Sequence, residues 1–316
     1  MSRQTALLLT ASVGCAMTVL DTNVVGIVLP TIARDLNASF ADIEWVISAY
    51  VLCFASLLLP AGSIADRFGR KRVFLIGIAL FAAASLLCGL APSAQALYVA
   101  RALQGVGAAF QLAPALANIG HAFHDEHERA RAWATWGTFM GLTMVTSPLI
   151  GGVINAYLGW RWAFYINLPI CAALAFGVWR NIDESRDPTP RTLDFPGIAL
   201  FAAAMFALTW ALILGPGHGW TNPLVLTRGA AGIALFALFA GVEARRAHPM
   251  LDLSLFRSLP FVGAIVAMFA YAAVAQVMAS LLPLFLQNAR GETPLEAGVG
   301  MLPFALAMLM LPMVGR

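Results

Sequence analysis

Four cationic residues crowd one short stretch, Gly62-Ser63-Ile64-Ala65-Asp66-Arg67-Phe68-Gly69-Arg70-Lys71-Arg72, and a long apolar run flanks it on either side. Hydropathy reads both runs as membrane spans, and cationic residues favour the cytoplasmic side of such spans. Glycines at positions 62 and 69 let two helix ends approach closely and turn sharply. A backbone inside a bilayer must satisfy its own hydrogen bonds, which leaves helices or closed barrels. The runs are continuous, whereas barrel strands are short and alternate. The expectation is an all-α integral membrane protein.

Composition agrees. The chain is 60% hydrophobic and 11% charged, with a mean hydropathy of +0.80. Soluble domains carry about 25% charged residues. A net charge of only +3 gives no reason to expect a nucleic-acid partner. Cys15, Cys53, Cys88 and Cys171 all sit in apolar segments and read as packing residues, with neither metal nor disulfide spacing.

A span needs about 20 mostly apolar residues. Ten segments qualify: Thr5–Leu29, Ile43–Ile64, Val73–Leu90, Gln95–Phe123, Ala132–Leu158, Trp162–Trp179, Phe195–Leu214, Leu224–Val242, Leu259–Phe285 and Glu296–Val314. The first is too long for a signal-peptide core and lacks an Ala-x-Ala site, so it reads as an uncleaved span.

Orientation follows from the arginines and lysines. With the amino terminus inside, the cytoplasmic segments hold 14 of them: Arg3, Arg67, Arg70, Lys71, Arg72, Arg129, Arg131, Arg180, Arg186, Arg191, Arg245, Arg246, Arg257 and Arg316. The other side holds 4, namely Arg34, Arg161, Arg228 and Arg290. That bias places the amino terminus in the cytoplasm. Trp45, Trp160, Trp162 and Trp220 read as anchors at the outer boundary, and Trp133, Trp136 and Trp179 at the inner one. His121, His124 and His127 lie among acidic residues, but a solvated loop explains them better than a metal site.

Two positions repeat at a fixed interval. Gly62 follows Pro30 by 32 residues, and Gly315 follows Pro283 by 32, with Pro60 and Pro312 just before each glycine. The ninth and tenth spans then resemble the first and second, as the parallel halves of a transporter would. The expectation is a partial sequence with four further spans beyond Arg316.

Intramembrane charge is rare and functional by default. Asp21 lies about 12 Å deep in the first span and Arg101 about 9 Å deep in the fourth, at 1.5 Å per residue. Their similar depths allow a contact across a cavity; a structural pair or a snorkelling arginine is the plainer reading. In the fourth span Arg101, Gln104, Ala108, Gln111, Ala115 and Asn118 recur at spacings of three and four, one polar and small-residue stripe. Such a stripe faces other helices or water, and Gln104 and Gln111 could equally act as interhelical glue. Gln276 and Ser280 of the ninth span are candidates for the opposite wall.

The order Gly-x-x-x-Asp-Arg-x-Gly-Arg-Lys at Gly62–Lys71 resembles the loop between helices 2 and 3 of major facilitator superfamily transporters. Leu20-Asp21-Thr22-Asn23-Val24-Val25-Gly26-Ile27-Val28-Leu29-Pro30 resembles the first-helix motif of their fourteen-helix drug/proton antiporters (EmrB/QacA-type). Trp160-Arg161-Trp162-Ala163-Phe164-Tyr165-Ile166-Asn167-Leu168-Pro169 looks like the junction of helices 5 and 6 in that branch. Asp194-Phe195-Pro196-Gly197, Gly219-Trp220-Thr221-Asn222-Pro223 and Pro249-Met250-Leu251-Asp252-Leu253 resemble its linker region. The chain departs from the branch at Asn23 and Gly26, at Thr143, and at Ser147-Pro148-Leu149-Ile150-Gly151-Gly152, where the motif has Gly-Pro-x-x-Gly-Gly.

The resemblance implies a partial major facilitator fold of about ten of fourteen helices. Residues 1–181 would form the amino-terminal six-helix bundle, 182–258 two linker spans with their loops, and 259–316 the first two helices of an incomplete second bundle. It implies proton coupling through Asp21 and Arg101, with Arg101 and Gly105 matching the helix 4 motif. A substrate cavity would involve Asn23, Gln104, Gln111, Asn118, Gln276 and Ser280. Gly62, Asp66, Arg67, Gly69, Arg70 and Lys71 would form a cytoplasmic gate, with Asp66 holding the two halves together, and Pro148, Gly151 and Gly152 a helix 5 hinge.

The function so implied is proton-coupled efflux of drugs or other hydrophobic or cationic small molecules across a plasma (inner) membrane. Its partners are the substrate, protons and the lipid bilayer, with or without a periplasmic adaptor. Burial favours the neutral form of a carboxyl group and a nearby arginine the charged form, so a carboxyl suits the coupling role. No P-loop or catalytic spacing is present, so neither an enzyme nor a cofactor or metal is expected. A proton-linked symporter or facilitator importing a metabolite, and a truncated membrane protein that transports nothing, are the alternatives.

Overall fold

The computed structural model describes residues 3–186, 194–246, 251, 253–292, 296, 299–301, 303–304 and 306–307. Described elements are ten α-helices and one 3-10 turn: α1 (Arg3–Asp35), α2 (Phe40–Phe68), α3 (Arg70–Gly89), α4 (Ala94–Ala122), α5 (Glu126–Tyr157), α6 (Trp162–Tyr165), α7 (Asn167–Asn181), α8 (Phe195–His218), α9 (Pro223–Glu243) and α10 (Leu259–Arg290). The 3-10 turn is Leu253–Arg257, just before α10. Among the described residues seven spans are long and apolar enough to cross a membrane, with α6 and α7 joined as one. The tenth expected span lies largely outside the described residues, as do Pro312 and Gly315 of the repeat.

Helix α4 is not among the seven. Its polar stripe lowers the hydropathy, yet Arg101, Gln104, Ala108, Gln111, Ala115 and Asn118 are all buried. The stripe faces other helices, as its spacing predicted. Helix α4 packs between α2 and α3 and also touches α1, while α1 lies along α5 and α7. Glycines permit the tightest of these approaches. A Cβ on Gly105 would overlap the Tyr50 carbonyl of α2, and one on Gly107 would sit 2.6 Å from the Phe81 nitrogen of α3.

Three boundaries differ from the sequence expectation. Pro30 does not end the first span; α1 continues to Asp35, because a proline near a helix end forfeits one hydrogen bond without forbidding the last turn. The basic stretch is helical on both sides of Gly69, which alone makes the turn at φ +113°. Helix α5 starts at Glu126, with Asp125 Oδ1 accepting from the His127 and Glu128 amides at 3.0 Å, so Arg129 and Arg131 lie on a helix. Among the described residues no group of histidines, cysteines and carboxylates could hold a metal.

Helices α8 and α9 form a hairpin that leans on α2 through α8. Two apolar clusters fill the interior of α1–α7. One includes Met17, Tyr50, Phe81, Ala108 and Cys171, and the other Val24, Val46, Cys88, Ala100 and Phe164. On α1, α3 and α4 a short interval separates the two sets, and polar residues described next fall in those intervals.

Candidate functional site

Each side chain of the polar layer is placed by its own helix. Asp21 lies between Met17 and Val24 on α1, Ser85 between Phe81 and Cys88 on α3, and Arg101 and Gln104 between Ala100 and Ala108 on α4. Asn167 opens α7, where Pro169 cannot donate to the Tyr165 carbonyl and so separates α6 from α7. All five are 0–1% exposed.

Arg101 NH1 donates to Asp21 Oδ2 at 2.6 Å and to Gln104 Oε1 at 2.7 Å, and its Nε donates to the Val46 carbonyl at 3.2 Å. Its guanidinium carbon lies 4.2 Å from the Tyr50 ring centroid. Asp21 Oδ1 accepts from Gln104 Nε2 at 2.8 Å and from Asn167 Nδ2 at 2.7 Å. Ser85 Oγ accepts from the same two amides, at 2.8 and 3.3 Å. Four helices thus converge on one carboxylate, and apolar clusters lie on both sides of it. The pair expected from depth alone is a direct contact, and the protein holds it closed to solvent.

The remaining expected cavity residues are placed differently. Gln104 belongs to the Asp21 network, Gln111 Nε2 donates to the Gly14 carbonyl of α1 at 2.8 Å, and Asn118 Nδ2 donates to the Pro114 carbonyl of its own helix at 2.8 Å. These three sit in packed interior rather than on an open wall, since amides in an apolar helix gain by capping backbone carbonyls. Asn23 is half-buried and its covered Nδ2 has no hydrogen-bond partner. Gln276 and Ser280 lie on α10, but their side chains fall outside what the structure describes.

In α5 the Pro148 ring removes one donor, and Thr143 Oγ1 donates back to the Phe139 carbonyl at 2.7 Å, both of which favour bending. A Cβ on Gly151 would lie 3.2 Å from that of Ile27 on α1, whereas Gly152 has no such neighbour.

The basic turn is tied to the segment after α7. Glu184 accepts from the Lys71 and Arg72 amides at 3.1 and 3.3 Å, a carboxylate on the first turn of α3. Lys71 Nζ donates to the Trp179 carbonyl at 2.6 Å, and Arg70 N to the Ser185 carbonyl at 3.0 Å. Asp66 pairs with Arg70 at 2.7 Å within the turn itself. The Arg67 guanidinium carbon lies 5.8 Å from the Phe68 ring centroid, and Gly62 faces Ala113 of α4.

Sequence reasoning missed Asn167, Ser85 and Glu184 as contributors. An asparagine buried in an apolar segment was the available signal for Asn167. Trp160, expected at the membrane boundary, is buried and donates to Asp35 at 2.8 Å.

The pattern that defines the Major Facilitator Superfamily matches residues 11–316. The chain belongs to that superfamily. Multidrug resistance protein Stp of Mycobacterium tuberculosis (strain CDC 1551 / Oshkosh) is 36% identical over 310 residues, 98% of this chain and 58% of that protein. The tetracenomycin C resistance and export protein of Streptomyces glaucescens is 36% identical over 305 residues, 96% of this chain and 56% of that protein. This superfamily member therefore spans less than two thirds of the length of these relatives. Its fold matches the crystal structure of peptide transporter POT in complex with sulfate, with a TM-score of 0.62 over 90% of this chain and 61% of that one, at 15% identity. Apolar helices and family together make it a multi-pass membrane protein.

Proposed function

We propose that this protein works in proton-coupled efflux of drugs or other hydrophobic or cationic small molecules, by antiport. The observation that carries the reading is the buried Asp21–Arg101 pair at 2.6 Å, with Gln104 bridging both partners. A carboxylate held this way can take up a proton when the bundle opens, which makes proton and cationic substrate mutually exclusive at one group. Similarity to a multidrug resistance protein and to a tetracenomycin C resistance and export protein supports the substrate class.

In this reading the protein has the fourteen-helix arrangement of the EmrB/QacA-type branch. Residues 1–181 form one bundle, α8 and α9 with their loops (182–258) are linker spans, and residues 259–316 open a second bundle. The amino terminus faces the cytoplasm of a plasma membrane, as the arginine and lysine bias suggests.

The test is proton release on addition of ethidium to the purified full-length protein at several pH values. Asp21→Asn abolishes release while leaving some dye binding, and Arg101→Ala impairs both. Release by Asp21→Asn at the wild-type stoichiometry would move the coupling role elsewhere. In energised vesicles, dye accumulation only in the inverted orientation marks an exporter; accumulation in the native orientation marks an importer.

A further inference from the structure

Within the polar layer, Asn167 differs from Gln104 in one respect. Both amides donate to Asp21 Oδ1, but Gln104 Oε1 accepts from Arg101 NH1 at 2.7 Å and lies 3.6 Å from the Cys88 thiol. Turning the Gln104 amide would set its NH2 against the guanidinium, donor against donor. The Asn167 Oδ1 is buried and has no hydrogen-bond partner. A buried acceptor without a donor is costly, and native proteins seldom keep one unless another state supplies the donor.

We propose that Asn167 is the positioning residue that follows the protonation state of Asp21 by turning its side-chain amide; this rests on the coupling role proposed above for Asp21. An ionised carboxylate only accepts, so the Asn167 NH2 must face it, as the 2.7 Å contact shows. Oδ2 is taken by the guanidinium, so an incoming proton from water settles on Oδ1. The new O–H then needs an acceptor. Rotation of the Asn167 amide by half a turn presents Oδ1 to it, and the Ser85 hydroxyl lies close enough to donate to the same oxygen. The one covalent change is the new O–H: a hydronium ion gives its proton to Asp21 Oδ1 and leaves as water. The displaced NH2 faces the place Oδ1 left, where water entering with the proton accepts from it.

Other groups around the carboxylate cannot serve this way. Arg101 on α4 is a donor in either state. Tyr50 on α2, Cys88 on α3 and Cys171 on α7 are the titratable neighbours, and none hydrogen-bonds Asp21. Among the described residues, Asn167 alone offers Asp21 both a donor and an unoccupied acceptor.

The experiment compares Asn167→Thr with Asn167→Val in the full-length protein in nanodiscs. These side chains match in size and differ by one hydroxyl, which both donates and accepts. Protonation of Asp21 is followed by its infrared carboxyl band across a pH titration, with Asp21→Asn as the subtraction control. The expected result is that Asn167→Val takes up its proton about one pH unit higher than wild type, the worth of one charge-assisted hydrogen bond, while Asn167→Thr stays within a fraction of that shift. Ethidium-driven proton release falls about tenfold in Asn167→Val and recovers in Asn167→Thr. Equal midpoints for Thr and Val, or a wild-type midpoint for Val, overturn the proposal. If Asn167→Val does not fold, Asn167→Ser against Asn167→Ala makes the same comparison. A titrating band that survives Asp21→Asn would instead defeat the coupling role of Asp21 itself, so the two failures are distinct.

Discussion

Two Asp–Arg pairs, Asp21–Arg101 in the bundle interior and Asp66–Arg70 at the basic turn, have nearly the same length, 2.6 and 2.7 Å. Their surroundings differ. Asp21 and Arg101 come from helices 80 residues apart and their side chains are 0% and 1% exposed. Asp66 and Arg70 are one turn apart on either side of Gly69, with side chains 45% and 16% exposed. Water screens the second pair and cannot reach the first. The geometry is shared, so the consequences of breaking each pair should diverge by roughly tenfold in energy.

The largest effect belongs to the interior. Arg101→Leu leaves a buried carboxylate without its counter-charge and should cost about 3–5 kcal/mol in thermal unfolding in detergent. Adding Asp21→Asn to Arg101→Leu should recover part of that loss. A double variant no more stable than the single one would show that the pair is not the source of the cost. Next comes Gly105→Ala. Its Cβ meets the Tyr50 backbone, which cannot move aside as a side-chain tip can, so about 1–3 kcal/mol of destabilisation is expected. Crosslinking between cysteines introduced on α2 and α4 would register the separation.

How much of this was legible beforehand varies by residue. Asp21 and Arg101 stand out because charge in an apolar run is conspicuous, and helical rise alone put them at one level. The α4 stripe was legible because three-and-four spacing is a property of one helix. Asn167 was not, since its role depends on packing against Asp21 across 146 residues and no periodicity marks it. Ser85 looks like any small residue of a span. Glu184 sits in a connector whose path no local rule specifies. The end of α1 was misread because Pro30 counts as a stop signal in sequence, though proline is tolerated where few hydrogen bonds remain to lose.

At the turn the effects shrink. Gly69→Ala places a side chain at φ +113° and against Glu184, for a cost of about 1–3 kcal/mol. Here the first element to loosen should be the amino-terminal turn of α3, visible as faster amide exchange at Lys71 and Arg72. The smallest effect is that of Asp66→Asn, about 0.3–0.5 kcal/mol, as for an exposed pair one helical turn apart. In the full-length protein the same change should nevertheless shift the population toward inward-facing, raising labelling of cysteine probes at the cytoplasmic mouth and lowering it at the outer one, by less than Gly69→Ala does. A stability loss as large as that of Arg101→Leu would remove the contrast between the two regions.

Helix α4 falls short of the hydropathy that the spans around it reach, because it carries Arg101, Gln104, Gln111 and Asn118. An arginine inside a span raises the cost of leaving the translocon, by about 2.5–3.5 kcal/mol at the centre and less toward either end. Its partners Asp21, Val46 and Tyr50 all precede it in the chain, so they leave the ribosome first. Vectorial synthesis therefore delivers α1, α2 and α3 to the membrane before the helix that depends on them. Insertion of α4 becomes a docking event rather than a partitioning event, and a chain whose α1 or α2 failed to insert would leave α4 with nowhere to dock.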